Sequence, residues 1–241
     1  MSDEYRLSVI FCAVDESVSL EKTFRKIDQN QGVFEYLFVL SQTCTQACLR
    51  TVETLCERDD CRYFYQTGKG FGNAMQEGFA AARGTHVIVW SADEGTDTAS
   101  FPEMLRISRE NPDAIVSISR WLRKGGFEGY GRIRTAINFL SQKCFALLYR
   151  SDLTDFTNPT QIAPLAVYRA INWEWDGFEM LPEMTFKPLR LGVRFIEVPT
   201  RNVPRTEGRS HSRLLSLASY YVVIWRIRFM DIDQIRKEAV G

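Results

Sequence analysis

The fold is decided by residues 84–102, which read GTHVIVWSADEGTDTASFP. A turn glycine is followed by a short apolar strand at 87–90, and the sequence then changes abruptly to carboxylates and small residues. A strand that is apolar at every position is most easily buried on both faces, as in the parallel sheet of an α/β domain. The acidic residues therefore follow the carboxyl end of a central strand, which is where open α/β sheets bind their ligands.

The carboxylates of this stretch are candidates for a metal site. Asp93, Glu94 and Asp97 are close enough in sequence to bind a divalent cation, and such a cation could hold a diphosphate. A solvated acidic turn that only ends the strand explains the same residues. Both interpretations are open at this point.

Size and composition are those of an ordinary globular protein. With 241 residues and 45% hydrophobic content, the chain can bury a full core as one domain, or as one domain plus an appendage. Thirty basic and thirty acidic residues cancel, so no global charge points to nucleic acid. Basic residues cluster locally at 120–134 and 201–213, and such patches suit a phosphate-bearing ligand.

The cysteines and the amino terminus bear on location. Six cysteines and a start without an apolar signal core predict a reduced, cytosolic protein. Four of the cysteines lie between positions 44 and 61, so a zinc site has to be considered. Their spacings fit no common zinc module, and this favours buried structural thiols.

Apolar runs alternate with segments of helical periodicity, which predicts a doubly wound α/β sheet. The predicted strands are 7–14, 34–40, 61–65, 87–90, 114–119 and 193–199, with a further short apolar run at 162–168. The predicted helices are 20–27, 45–58, 74–84, 101–110, 133–149 and 179–191.

A glycine-rich turn, TGKGFGNA at 67–74, opens the helix before the central strand. Glycines let the backbone approach a ligand, and a helix N-terminus favours an anion. The spacing is not that of a dinucleotide-binding turn, and it follows the third strand rather than the first, which argues against a dehydrogenase. A plain flexible turn is the alternative.

The C-terminal tail is apolar from 214 to 225, apart from two serines, and is followed by Arg226 and Arg228. Because about 20 apolar residues are needed to cross a bilayer, this run cannot span one. It could lie in the membrane interface, with Tyr220, Tyr221 and Trp225 at headgroup depth. It could equally dock on the domain's own surface or on a partner subunit. We therefore divide the chain into a domain at 1–213 and a C-terminal amphipathic helix at 214–241.

In this order, the features resemble family 2 glycosyltransferases of the GT-A fold, most closely the dolichol- or polyprenyl-phosphate mannosyl or glucosyl synthases. Three segments carry the resemblance. The first is the glycine turn and its helix, with Ala74, Gly78, Ala82 and Gly84, which lead to the acidic strand end. The second is Ser119-Arg120 with the Gly/Arg loop that follows and residues 151–154. The third is Glu197-Val198-Pro199, followed by Arg205, Gly208 and Ser210. The resemblance implies a GT-A Rossmann-like, doubly wound mixed sheet flanked by helices.

The chain also departs from this family's pattern. Ser91 stands where the first of two metal-binding aspartates is usual, and Leu40-Ser41 stands where paired aspartates help to hold the nucleoside. Asp15-Glu16 stands in place of Asn-Glu, and His211 in place of a lysine. These departures bear on metal affinity and on the contacts to base and ribose.

The reaction that the resemblance implies is inverting transfer of a sugar from a nucleotide-sugar to a lipid phosphate. A divalent cation, Mg²⁺ or Mn²⁺, on Asp93 and Glu94 would stabilise the departing diphosphate, with Asp97 as a further candidate ligand. A phosphate acceptor is already an anion, so it needs cationic positioning rather than a strong base.

The resemblance assigns the site residues as follows. The catalytic residues are Asp93, Arg120, Asp152 and Arg205, with Asp152 either orienting a basic residue or acting as a base. The donor-binding residues are Asp15, Glu16, Ser41, Gly68, Lys69, Gly72, Ala92, Asp93, Arg205, Ser210 and His211. The acceptor-binding residues are Arg120, Arg132, Arg134 and Ser151, and a solvated surface charge is the alternative for each arginine.

Two further functions fit the sequence. A non-catalytic relative that binds a nucleotide-sugar or a partner subunit would explain Ser91 and Leu40-Ser41. A transferase with a soluble saccharide or protein acceptor would need no membrane. The partners expected on the first hypothesis are the nucleotide-sugar, the lipid phosphate, the cytoplasmic face of a membrane and a second copy of the chain.

Overall fold

The computed structural model describes residues 4–124, 126–127, 131–203 and 214–237, with only the backbone at 214–218. The strands are β1 (Leu7–Ala13), β2 (Val33–Leu40), β3 (Cys61–Tyr65), β4 (His86–Trp90), β5 (Ile115–Ser119), β6 (Gln161–Pro164) and β7 (Phe195–Pro199). The helices are α1 (Val18–Asp28), α2 (Gln46–Leu55), α3 (Phe71–Ala81), α4 (Phe101–Glu110), α5 (Arg132–Tyr149), α6 (Leu165–Arg169), α7 (Met180–Arg190), α8 (Leu214–Phe229) and α9 (Ile232–Ile235).

The strands form one seven-stranded sheet in the order β3-β2-β1-β4-β6-β5-β7. Every pairing is parallel except those of β6, which runs antiparallel to both β4 and β5. The predicted α/β class with a doubly wound mixed sheet is therefore confirmed. The apolar run at 162–168 divides into β6 and α6, because Pro164 ends the strand and caps the helix.

The two faces of the sheet are covered by different helices. Val9 and Phe11 face a core with α1, α2 and α4, whereas Ile10 between them faces a core with α3, α6 and α7. Alternate residues of a strand point to opposite faces, so a central strand that is apolar throughout fills both cores. β4 is accordingly buried at all five of its positions.

Helix α8 packs on the domain through one face. Val223, Ile224 and Ile227 are buried against Phe145 of α5 and Phe186 of α7. The opposite face is exposed. Among the described residues, no helix is long and apolar enough to cross a membrane. The division of the chain at residue 213 stays a prediction.

A pair of phenylalanines on β2 tests the core. Phe38 is fully buried, whereas Phe34 on the same strand is 40% exposed. We expect Phe38→Ala to lower the free energy of unfolding by about 3–5 kcal/mol, because it removes buried surface and leaves a cavity. Phe34→Ala is the matched control and should cost less than about 1 kcal/mol. Urea unfolding of both variants measures this, and equal losses would contradict the described core.

Candidate active site

A cleft of about 800 Å³ runs along the edge of the sheet where the parallel strands end. Residues next to the strand ends line the cleft in the same order as the strands in the sheet. From β3 to β7 these are Gln66, Ser41, Glu16, Asp93, Thr160, Arg120 and Arg201. Because β6 is antiparallel, its amino end, rather than its carboxyl end, lies at this edge.

Charge is distributed unevenly along the cleft. The basic residues that line it in the described chain are Arg120, which follows β5, Arg134, in the first turn of α5, and Arg201, which follows β7. We call this the arginine end. The other end, formed by Gln66, Ser41 and Glu16, is called the β3 end and carries no cation among the described lining residues. The arginine end therefore suits an anion, whereas the β3 end carries the carboxylate of Glu16 and no cation among the described lining residues.

Asp93 lies between these ends, almost buried, with its carboxylate held in place. The Ser91 hydroxyl and the Gly95 N–H both donate to its Oδ1, the latter over 2.9 Å. Ser91 stands where the resemblance would have a first aspartate, and in this chain it is a hydrogen-bond donor to the remaining one. The predicted metal residue is thus brought into the cleft.

The neighbouring carboxylates, Glu94 and Asp97, bind other partners. Glu94, in the left-handed region with φ of 58°, accepts from Lys26 Nζ of α1 over 2.8 Å and does not line the cleft. Asp97 accepts from Ala99 N and pairs with Arg201 Nε at 2.8 Å. Among the described residues, no three His, Cys, Asp or Glu side chains are grouped to hold a metal. Of the three predicted metal residues, Asp93 lines the cleft and Glu94 and Asp97 do not, and the metal site stays a prediction.

Arg120 is fixed in the cleft wall by a buried partner. Its Nε and Nη2 donate to the two oxygens of Asp155 over 2.7 and 2.9 Å, and Asp155 is only 2% exposed. Asp152, predicted as catalytic or as an orienting group, is exposed and lies outside the cleft. The aspartate that orients Arg120 in the structure is therefore Asp155, and the catalytic role of Asp152 stays a prediction.

A second carboxylate supports this arrangement from β7. Glu197 accepts hydrogen bonds from the backbone N–H of Thr154 and Asp155, over 2.8 and 2.9 Å, and from the Thr154 hydroxyl. Burial raises the pKa of Glu197, and these donors oppose that shift. The loop that carries Asp155 is thus attached to β7, and through Asp155 it sets the position of Arg120.

The glycine turn packs closely against another segment of the chain, residues 175–177. A Cβ on Gly70, whose φ is 96°, would lie 2.3 Å from the Asp176 carbonyl oxygen, and one on Gly72 would lie 2.6 Å from that of Trp175. Gly70 lines the cleft, whereas Gly68, Lys69 and Gly72 do not. The close approach that Gly70 and Gly72 permit in the structure is with residues 175–177, and donor binding by the turn stays a prediction.

The remaining predicted residues divide between cleft and surface. The cleft is lined by Glu16, Ser41, Ala92, Asp93, Arg120 and Arg134. Outside it, besides the residues already described, are Asp15, Arg132 and Ser151. Arg205, Ser210 and His211 lie outside the described residues.

Gln66 and Arg201 are among the cleft residues that sequence reasoning missed. Gln66 directly follows β3, and Arg201 follows β7 by two residues. Their position just after a strand was the available signal, because the carboxyl ends of parallel strands meet at one edge.

Removal of the buried carboxylate tests the support of Arg120. Asp155→Ala should lower the free energy of unfolding by about 3–5 kcal/mol, because it leaves a largely buried guanidinium without its partner. Asp152→Ala, three positions away on the surface, should change it by no more than about 0.5 kcal/mol. Denaturant unfolding gives both values. Similar losses in the two variants would refute the assignment of Asp155 as the buried partner.

Solved structures with the same fold are known. Glucosyl-3-phosphoglycerate synthase from Mycobacterium tuberculosis, in complex with Mn²⁺, uridine diphosphate and phosphoglyceric acid, matches with a TM-score of 0.70 and 14% identity, over 94% of this chain and 80% of that one. The same enzyme with Mg²⁺ and uridine diphosphate matches with a TM-score of 0.69 and 15% identity, over 92% and 78%. At these identities the likeness shows the fold alone, and the predicted GT-A fold is confirmed.

Sequence comparison adds a relative and a family. Glycosyltransferase AglD of Haloferax volcanii is 25% identical over 226 residues, which cover 84% of this chain and 34% of the relative. The chain thus spans about a third of the length of that protein. Residues 8–171 match the family described as Glycosyl transferase family 2. Since this match covers more than half of the sequence, the chain belongs to glycosyl transferase family 2.

Proposed function

We propose that the chain transfers a sugar, with inversion, from a nucleotide-sugar to a polyprenyl-type lipid phosphate at a membrane surface. The observation that carries this proposal is the structure of α5. Its first turn brings Arg134 to the cleft, and its exposed face bears a row of apolar side chains. A phosphate at Arg134 would therefore have an apolar surface beside it for a lipid chain.

The apolar row has helical spacing. Ile133, Ile137, Leu140 and Leu147 are between 59% and 82% exposed. Their intervals of four, three and seven residues place them on one side of the helix. Large apolar side chains grouped in this way on a surface mark a site of interaction with another molecule or a membrane.

Helix α8 contacts α5 and carries exposed apolar side chains of its own. The hydroxyls of Ser141 on α5 and Tyr221 on α8 are 2.5 Å apart, and Val222, Trp225 and Phe229 of α8 are exposed. The two helices contain three and two basic residues respectively, and neither contains an acidic one. Apolar side chains together with basic residues suit an interface with anionic lipid headgroups.

The donor is assigned to the other part of the cleft. A nucleoside diphosphate would place its neutral base at the β3 end and its phosphates near Asp93. Mg²⁺ in proteins is often held by one or two carboxylates together with substrate phosphates and water. One cleft carboxylate, Asp93, fits such a donor set, and the solved relatives were crystallised with Mn²⁺ or Mg²⁺ and uridine diphosphate. When bound, the cation would supply positive charge to the leaving diphosphate.

The acceptor phosphate is assigned to the arginine end. Guanidinium groups donate charge-assisted hydrogen bonds to phosphate oxygens, and Asp155 orients Arg120 by accepting from its Nε and Nη2. A phosphate oxygen would form the new bond at the anomeric carbon while the bond to the diphosphate breaks on the opposite face. Since the nucleophile is already an anion, Arg120 and Arg134 need only to position it.

A transfer assay tests the proposal. Nucleotide-sugars with Mg²⁺ or Mn²⁺ are supplied with a polyprenyl phosphate in vesicles, or with a soluble phosphate such as phosphoglycerate. We expect a lipid-linked sugar phosphate as the product. Transfer to the soluble phosphate alone would establish a soluble acceptor, as the ligands of the solved relatives suggest. Donor binding without any transfer would establish the non-catalytic alternative.

A pair of adjacent carboxylates tests the role of Asp93. Asp93→Asn should lower kcat by at least about a hundredfold, because the neutral amide is a poor partner for a cation at the diphosphate. Glu94→Gln, which changes the neighbouring charge outside the cleft, should change kcat by no more than about threefold. Steady-state kinetics with saturating metal measure both. Equal losses would argue against a special role for Asp93.

The apolar row is tested with vesicles. The double variant Ile137→Asp, Leu140→Asp should reduce sedimentation with anionic vesicles by about tenfold or more, because it places charges on the interfacial face. The matched controls are Val18→Asp, at an exposed apolar position of α1, and a repeat of each measurement at high salt. Unchanged sedimentation of the double variant would contradict the membrane assignment.

A further inference from the structure

Helix α7 carries a buried ion pair that the proposed transfer does not use. Glu183 and Lys187, one turn apart, are both 0% exposed, and Lys187 Nζ lies 2.5 Å from Glu183 Oε1. Burial raises the pKa of Glu183, and the charge of Lys187 opposes that shift. Because both charges have lost their water, such a pair adds little stability compared with apolar side chains of the same size. A role for the pair therefore has to come from the segment that it holds, residues 172–178 between α6 and α7, which we call the α7 loop.

The pair holds the α7 loop by its backbone. Glu183 accepts from two consecutive N–H groups, that of Glu174 over 3.1 Å and that of Trp175 over 3.2 Å. Lys187 donates to the carbonyl oxygen of Asn172. Both ends of the ion pair are thus bonded to main-chain atoms of the same short segment, which fixes its path over α7.

A second contact to the α7 loop is exposed. The Glu174 carboxylate lies 2.7 Å from Arg226 Nη2 of α8, and the Arg226 side chain is 62% exposed. Solvent and salt screen such a pair, so it fixes the loop less firmly than the buried pair does.

The α7 loop in turn holds the glycine turn. The Asn73 N–H donates to the Asp176 carbonyl oxygen over 3.1 Å. The rings of Phe71 and Phe178 are stacked, with centroids 5.3 Å apart, and both residues line the cleft. The loop and the turn therefore form one wall of the cleft, which we call the phenylalanine wall.

The phenylalanine wall lies in the part of the cleft that we assign to the donor. Helix α3, which begins at Phe71, packs on β1 and β2. The cleft residues that follow these two strands are Glu16 and Ser41 of the β3 end. Glu183 and Lys187 themselves do not line the cleft, so an effect of theirs on a ligand has to act through the wall.

We propose that Glu183 and Lys187 are positioning residues, which fix the α7 loop and, through it, the phenylalanine wall against which the donor binds. The inference rests on the proposed donor site. A wall that is already in position favours binding, because the ligand does not have to order it. Loss of the hydrogen bonds to the loop backbone would let the wall move and would weaken donor binding, although no group that touches the donor is removed.

Two double variants separate the hydrogen bonds from the charges. In the apolar variant, Glu183→Leu is combined with Lys187→Met, which removes both charges and the hydrogen bonds described above. In the amide variant, Glu183→Gln is combined with Lys187→Met, which removes the charges and keeps an oxygen that accepts from the loop N–H groups. Both variants should fold, because uncharged residues of similar size can replace a buried ion pair at little cost. Thermal unfolding checks this.

Calorimetric titration with uridine diphosphate and Mn²⁺ gives the number of sites and the Kd separately. For the apolar variant we expect the Kd to rise by about tenfold, the factor that corresponds to one well-made hydrogen bond, with the number of sites unchanged. The Kd of the amide variant should stay within about threefold of the wild-type value. Without ligand, amide hydrogen exchange at residues 68–77 should be at least about tenfold faster in the apolar variant than in the wild type.

A matched control is available on α1. Glu21 and Arg25 have the same spacing on their helix, and their salt bridge is exposed. Neither residue lines the cleft. Glu21→Leu combined with Arg25→Met removes a similar pair of charges, and both the Kd and the exchange at residues 68–77 should keep their wild-type values.

The outcomes separate the inference from the proposed function. A wild-type Kd in the folded apolar variant refutes the role of the pair, whatever its exchange rate. Fewer sites at an unchanged Kd would show that the pair only stabilises the fold, and equal rises of the Kd in both double variants would assign the effect to charge; either result contradicts the inference. If the wild-type chain binds no uridine diphosphate, the donor site itself is refuted, whereas exchange at residues 68–77 still tests the link from the pair to the wall.

Discussion

The site depends on one geometric constraint: six parallel strands of one sheet end at the same edge. Residues far apart in sequence, from Glu16 to Arg201, meet there because each directly follows a strand or the loop after it. The single antiparallel strand, β6, lies between β4 and β5. It separates Asp93 from Arg120 by two strand spacings, or about 10 Å. On our account this spacing separates the donor diphosphate from the acceptor phosphate.

The two ends of the cleft are built differently. At the arginine end, the buried carboxylate of Asp155 holds Arg120, and the half-buried carboxylate of Glu197 holds the loop that carries Asp155. Because burial of the charges is itself costly, such an arrangement adds little to the stability of the fold. Its main effect is to fix the position of Arg120. At the β3 end the groups are neutral or already bonded. On our account this difference in charge directs the donor and the acceptor phosphate to opposite ends.

Much of the fold could be predicted from sequence because the relevant signals are local. Apolar runs marked six of the seven strands, and the change from Trp90 to Asp93 located the cleft. The partners of individual side chains could not be predicted in this way. Asp152 and Asp155 stand in similar polar sequence, and only a contact 35 positions away distinguishes Asp155. The hydrogen bond from Lys26 to Glu94 likewise joins residues that are 68 positions apart in sequence.

A crystal structure of the chain with Mn²⁺ and uridine diphosphate tests the central claim most directly, because anomalous scattering locates the metal. Our account predicts an anomalous peak beside Asp93, the base over Ser41 and Gln66, and Arg120 still paired with Asp155. A diphosphate bound on Arg120 and Arg134, with its base towards β7, would contradict the division of the cleft into a donor part and an acceptor part.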